Sequence, residues 1–149
     1  MNCVRPIAVA RVSLPIRRPR REVYLAFTDI DMLTRFWPAQ VLDGEIATGA
    51  TSAWQMGVDD TPIVVTCAEA REDTLIRLEF SNGVKVMLTF DRFEDGGTVV
   101  HFCQCGFGGA ATSDEVAAAN RAAAQMLSKL RRLLEPGADA DRFRLPRAA

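Results

Sequence analysis

Leu75–Phe90 reads LIRLEFSNGVKVMLTF, and its alternation decides the fold class. Ile76, Leu78 and Phe80 fall on one face of an extended chain, and so do Val84, Val86, Leu88 and Phe90, because successive strand residues point to opposite sides. Arg77, Glu79, Lys85 and Asp91 fall on the other face. Asn82-Gly83 sits between the two runs, a pair that tolerates the positive φ of a tight hairpin turn. A hairpin apolar on one side and charged on the other belongs to an antiparallel sheet covered on one face only.

Working outward, turn residues recur at short intervals: Gly44, Gly49, Asp59-Asp60, Arg71-Glu72-Asp73 and Glu94-Asp95-Gly96-Gly97. They divide the stretch from Val41 to Phe107 into strands at about 41–47, 50–57, 62–70, 74–80, 84–93 and 98–107, with no room for helices between them. Val100, Phe102 and Gln104 share the inner face of the last strand, and His101 points outward. Upstream, Val12, Leu14 and Ile16 make a first strand over Val9 to Ile16, with Pro15 marking an edge or an end. Pro19 suits the first turn of a helix carrying Val23, Ala26 and Phe27 on one face. Asp29 or Asp31 then caps a second short helix holding Met32, Leu33 and Phe36, and Pro38 stops it after Trp37.

Thr112–Glu135 reads TSDEVAAANRAAAQMLSKLRRLLE. Thr112 and Glu115 have the spacing of a capping box. Val116, Ala119, Ala123, Met126, Leu127, Leu130, Leu133 and Leu134 recur at three and four, the stripe of a buried helix face. Lys129, Arg131 and Arg132 complement the negative end of the helix dipole, and Pro136-Gly137 ends it. The expected fold is α+β: a curved antiparallel sheet of about six or seven strands around a long C-terminal helix, with two short helices between the first and second strands. Residues 1–137 form a single domain, and 138–149 an irregular tail.

Composition narrows the function. With 149 residues and 48% hydrophobic content the chain can bury a real core. The net charge of −1 excludes a whole-molecule basic field, so no nucleic acid is expected. No apolar run is long enough to span a membrane. The N-terminus lacks a signal-peptide pattern, and Cys3, Cys67, Cys103 and Cys105 lack the spacing of a disulfide framework. Together these favour a cytoplasmic protein with reduced thiols.

The order of elements resembles the START-like, or SRPBCC, superfamily with its helix-grip fold, and within it the domain of activator of Hsp90 ATPase homologues. Pro19 to Asp29 and Leu33 to Trp37 carry the likeness, with Gly49 to Trp54, Leu75 to Phe80, Gly97-Thr98 opening a strand that ends at Gly106-Phe107, and the helix end Leu133-Leu134-Glu135. It covers about residues 9–137. The resemblance implies a cavity between sheet and helix, in a superfamily whose members bind lipids, hormones and polyketides and include some cyclases and hydrolases.

The residues expected to line such a cavity are Phe36, Trp37, Trp54, Met56, Phe80, Leu88, Phe90, Phe102, Gln104, Ala123, Met126 and Leu127. Ala117, Ala118, Ala119, Ala122, Ala123 and Ala124 either leave a void there or let helix and sheet close together. Gln104 either orients a ligand or satisfies a backbone group. Asn120 faces the pocket or solvent, and Arg35 is a solvated helix-face residue or a contact for an anionic group. The run Arg17, Arg18, Arg20 and Arg21 is a solvated turn or an anion contact, without the interleaved aromatics that stack on bases.

No metal site and no cofactor is expected. His101, Cys103 and Cys105 share a face, but such residues lie nearly 7 Å apart along a straight strand and do not converge on one ion. A Cys–His pair on that face lacks an orienting third residue, so no catalytic residue is assigned. The reading is therefore a protein that binds a small hydrophobic, lipid-like or aromatic molecule without catalysis. The alternatives are a polyketide cyclase- or aromatase-like enzyme using the same cavity, and a protein-interaction, co-chaperone-like module. A homodimer is compatible with the sequence.

Overall fold

The computed structural model describes residues 9–57, 61–106 and 112–135. Seven strands form one antiparallel sheet: β1 Ala10–Ile16, β2 Gln40–Gly44, β3 Thr51–Gln55, β4 Ile63–Arg71, β5 Leu75–Phe80, β6 Lys85–Phe93 and β7 Gly97–Cys105, in the order β1-β7-β6-β5-β4-β3-β2. Two short helices, α1 (Arg20–Thr28) and α2 (Ile30–Phe36), separate β1 from β2, and α3 (Ser113–Leu134) closes the fold. The expected ends Pro136-Gly137 and the tail at 138–149 lie outside the described residues.

Local chemistry explains the boundaries. The β5–β6 hairpin turns through Ser81–Gly83, with Gly83 at φ +97°, a backbone conformation open to a residue without Cβ. The Asn82 Oδ1 accepts the Val84 N–H at 3.1 Å, which holds the turn without Asn82 itself entering positive φ. Asp29 ends α1 and caps α2, its carboxylate accepting the N–H groups of Asp31 and Met32; Asp31 is not the cap. At the start of α3 both halves of the capping box are made: Glu115 N–H donates to Thr112 Oγ1 at 3.1 Å, and Thr112 N–H donates to Glu115 Oε1 at 2.7 Å.

The helix phase corrects one expectation. Ala117, Ala118, Ala122 and Ala124 face solvent, and only Ala119 and Ala123 turn inward. These two alone lie on the stripe that continues through Met126, Leu127 and Leu130. The alanines therefore do not as a group hollow out the interior.

Two polar ties fix α3 along β1. Arg11 N–H, on the edge strand of the sheet, donates to Asn120 Oδ1 at 3.0 Å. At the other end Arg17 N–H donates to Glu135 Oε2 at 2.6 Å. Arg18 Nε donates to the Leu134 carbonyl at 2.7 Å, and Thr98 Oγ1, fully buried, donates to the Arg18 carbonyl at 2.7 Å. Asn120 thus neither faces a pocket nor stands free in solvent; it satisfies an edge-strand donor that would otherwise invite pairing with another chain.

Candidate ligand site

The inner face of the sheet, α1, α2 and the stripe of α3 enclose one apolar cluster. Its centre is a set of rings meeting edge to face, the arrangement their quadrupoles favour. Phe27 meets Phe36 at 5.0 Å between centroids, Trp37 meets Trp54 at 5.3 Å, and Trp54 meets Phe80 at 5.5 Å. Trp37 also reaches Phe102, at 6.3 Å. Trp54 is held by a buried polar contact: its Nε1–H donates to Ser52 Oγ at 2.8 Å. An indole N–H buried here without that acceptor would carry an uncompensated desolvation cost.

Along β5, β6 and β7 burial falls toward one end of the sheet. Along β5 the exposure rises from 1% at Ile76 to 3% at Leu78 and 7% at Phe80. Along β7, Val100 is fully buried, Phe102 nearly so and Gln104 only half-buried. On β6, Leu88 and Phe90 are buried and Val84, just before the strand, is half-exposed; on β4, Val65 and Cys67 are buried and Ile63 is not. The stripe of α3 is closed at Leu127 and Leu130 and half-open toward both ends, at Ala119 and Val116 and again at Leu133 and Leu134. The register puts these open ends together, since Gln104 pairs with Val86, Val86 with Leu78, and Phe80 with Val65. Ala10, which pairs with Gln104, stays buried, while Ala70 at the far end of β4 is only partly buried. The interior is thus more open at the end where Asn120, in the first turns of α3, meets Arg11 of β1.

This gradient sorts the residues expected from sequence. Trp37, Phe80, Phe102, Gln104 and Ala123 border the open end. Phe36, Phe90, Leu127, Met126 and Trp54 are buried, and Leu88, fully buried, stands directly opposite Phe102 in the register. Met56 departs from expectation: β3 ends at Gln55, so the alternation that would turn Met56 inward stops before it, and it is 40% exposed. Ile63, Val84 and Val116, half-exposed on inward faces, sit at the extremities of their elements, where periodicity reads the face and not the depth. Gln104 makes no side-chain hydrogen bond to another described residue. Arg35 is exposed.

The core cluster holds two ionisable side chains among the described residues, Tyr24 and Cys67. Burial raises the Cys67 thiol above its usual pKa, and burial, with the nearby Cys67 group, raises the Tyr24 phenol. Both are neutral at physiological pH. A neutral, ring-lined interior can hold an apolar molecule, but these groups offer neither a charged acid nor a base.

His101 lies on the outer face, as the alternation implied. It bridges three strands: Nδ1 lies 2.7 Å from Ser13 Oγ of β1, and Nε2 lies 3.1 Å from Asp91 Oδ2 of β6. His101 and Asp91 are both substantially exposed, so this cluster ties the outer surface together, away from the apolar opening. Among the described residues no group of three or more His, Cys, Asp or Glu side chains is placed to hold a metal ion.

A family model described as Activator of Hsp90 ATPase homolog 1-like protein matches residues 17–135. Solved structures of similar fold include the protein SSP2350 from Staphylococcus saprophyticus, at 21% identity and TM-score 0.73 over 87% of this chain and 93% of that one. The Aha1 dimer from Colwellia psychrerythraea matches at 18% identity and TM-score 0.72, over 87% and 97%. DynU16, a protein of the dynemicin biosynthetic locus, matches at 22% identity and TM-score 0.71, over 89% of this chain and 49% of that one. No curated protein matches the chain. No helix among the described residues is long and apolar enough to cross a membrane.

Proposed function

Since the chain belongs to the Activator of Hsp90 ATPase homolog 1-like family, we propose that it binds a small hydrophobic molecule, lipid-like or aromatic, through the open end of its core, without transforming it. The observation that carries this reading is the rise in exposure along the inner faces of β5, β6 and β7 toward one end of the core. An apolar lining that closes at depth and opens at one end, with few polar groups to orient a guest, is the common form of a small-molecule site. Trp37, Phe80, Phe102, Ala119 and Val84 supply the apolar contact and Gln104 a single amide to orient the ligand. The neutral Tyr24 and Cys67 favour binding over acid–base chemistry, which needs a group whose pKa lies near the working pH.

Fluorescence tests it directly, because both tryptophans, Trp37 and Trp54, belong to this cluster. Titration with fatty acids, flavonoids and aromatic polyketides should change their emission saturably. Val84→Trp, which fills the opening from a half-exposed position, should abolish that change with the fold intact. A response that survives Val84→Trp would place binding elsewhere.

A further inference from the structure

A second concavity lies at the opposite, closed end of the sheet. It occupies about 460 Å³ and is lined by Pro19, Arg20, Arg21, Asp73, Arg92, Phe93, Gly96 and Gly97, a volume within the range of ligand sites. It forms where the start of α1 crosses the β4–β5 turn and the end of β6. The apolar opening cannot account for it, since the two are separated by the length of the strands.

Its charges are of two kinds. Arg21 is engaged, donating to Glu72 and lying 3.7 Å from Asp73 Oδ1; its guanidinium is held more firmly in its charged form by the hydrogen bond and charge of Glu72, then by the charge of Asp73. Arg20 and Arg92 have no hydrogen bond or ion pair to another described residue, yet both line the same groove. Two guanidinium groups lining one concavity, without partners among the described residues, are the donors that oxyanions recognise. Phe93 adds an apolar ring, 43% exposed. Gly96 leaves open space where a side chain would stand. Asp73 supplies an acceptor on the same wall.

We propose that this groove binds a phosphomonoester carrying a flat aromatic ring and a hydroxyl group, of which a nucleoside monophosphate is the simplest form. Arg20 and Arg92 take the phosphate, Phe93 and Pro19 the ring, and Asp73 accepts from the hydroxyl. The backbone N–H groups at the start of α1, which no side chain caps, add to the positive end of the groove.

The test is an amide NMR titration of the full chain with AMP, adenosine and inorganic phosphate, at one low ionic strength. The proposal expects AMP to shift the amides of Arg20, Arg92, Gly96 and Gly97 saturably, with adenosine and phosphate each binding at least about tenfold more weakly. Arg20→Gln and Arg92→Gln should each weaken AMP by about tenfold, the loss of one charge-assisted contact. Phe93→Ala should weaken AMP while leaving phosphate unchanged. Phosphate binding as tightly as AMP would overturn the ligand class. AMP shifts absent from these residues, or unaltered in the arginine variants, would overturn the site. Circular dichroism of these surface variants separates a lost contact from a lost fold, and saturation with an apolar ligand should leave AMP affinity unchanged.

Discussion

Glu135 Oε2 accepts the backbone N–H of Arg17 at 2.6 Å, joining the last turn of α3 to the chain just after β1. The carboxylate is buried, at 7% exposure, and stands beside two further polar contacts, Arg18 to the Leu134 carbonyl and Thr98 to the Arg18 carbonyl. This clasp fixes the last turn of α3 against the chain that follows β1.

Removing the acceptor leaves the part-buried Arg17 N–H without this partner. Glu135→Ala should therefore lower the unfolding free energy by about 2 kcal/mol, read from the urea midpoint. Glu135→Gln keeps a carbonyl oxygen in place and should cost less. Equal losses in the two variants would mean that packing, not the hydrogen bond, holds the junction.

Asn120 plays the corresponding part at the open end. Asn120→Ala should cost about 1 kcal/mol and accelerate hydrogen exchange at the Arg11 amide more than at β1 amides bonded to β7. Asn120→Asp, which keeps the acceptor, should leave that amide protected. Unchanged exchange in the alanine variant would show that the tie contributes nothing.

Much of this was legible in the sequence. The two-residue period of Leu75–Phe90 gave the sheet and its inner face, and Thr112 with Glu115 gave the start of α3, because those signals are local: alternation and capping depend on near neighbours. The depth of each inner-facing residue was not legible, since whether Val84 or Phe90 sits at the opening depends on how seven strands register and where α3 crosses them. Met56 was misplaced for a related reason: where β3 stops is a tertiary outcome. The bridge from Ser13 through His101 to Asp91 was also hidden, because its members are distant in sequence and only the β1-β7-β6 order brings them together.

Alkaline pH should destabilise the fold through Cys67 and Tyr24. Both pKa values are raised by burial in the folded chain. From about pH 8.5 an unfolded thiol begins to lose its proton while the folded one keeps it. The unfolded state then binds fewer protons than the folded state, so stability falls as pH rises. This contribution is complete below the unfolded thiol's pKa and is lost as pH climbs through the folded value. Tyr24 adds a second loss from about pH 10. Cys67→Ala should flatten the first limb and Tyr24→Phe the second, in denaturation midpoints taken across pH. Tyr24 is the only tyrosine, so tyrosinate absorbance should also rise at higher pH in the folded protein than in urea. Superimposable titrations would contradict the burial argument.

Depth also predicts unequal effects of substitution within the apolar cluster. Leu127→Ala, at a fully buried position, should cost about 2–5 kcal/mol. Gln104→Leu at the opening should leave stability within about 0.5 kcal/mol, as expected of a substitution outside the closed core, while altering ligand selectivity. Denaturation curves and a ligand panel measure both; a large stability loss at Gln104 would show that its amide is structural.

The central claim, an apolar ligand entering the open end of the core, is tested most directly by native mass spectrometry of freshly purified protein, followed by denaturation and extraction. The account predicts a stoichiometric apolar adduct, either co-purified or acquired on incubation with fatty acids, flavonoids or aromatic polyketides, which leaves on denaturation and is excluded by Val84→Trp. A bare chain mass, unshifted after those incubations, would contradict it.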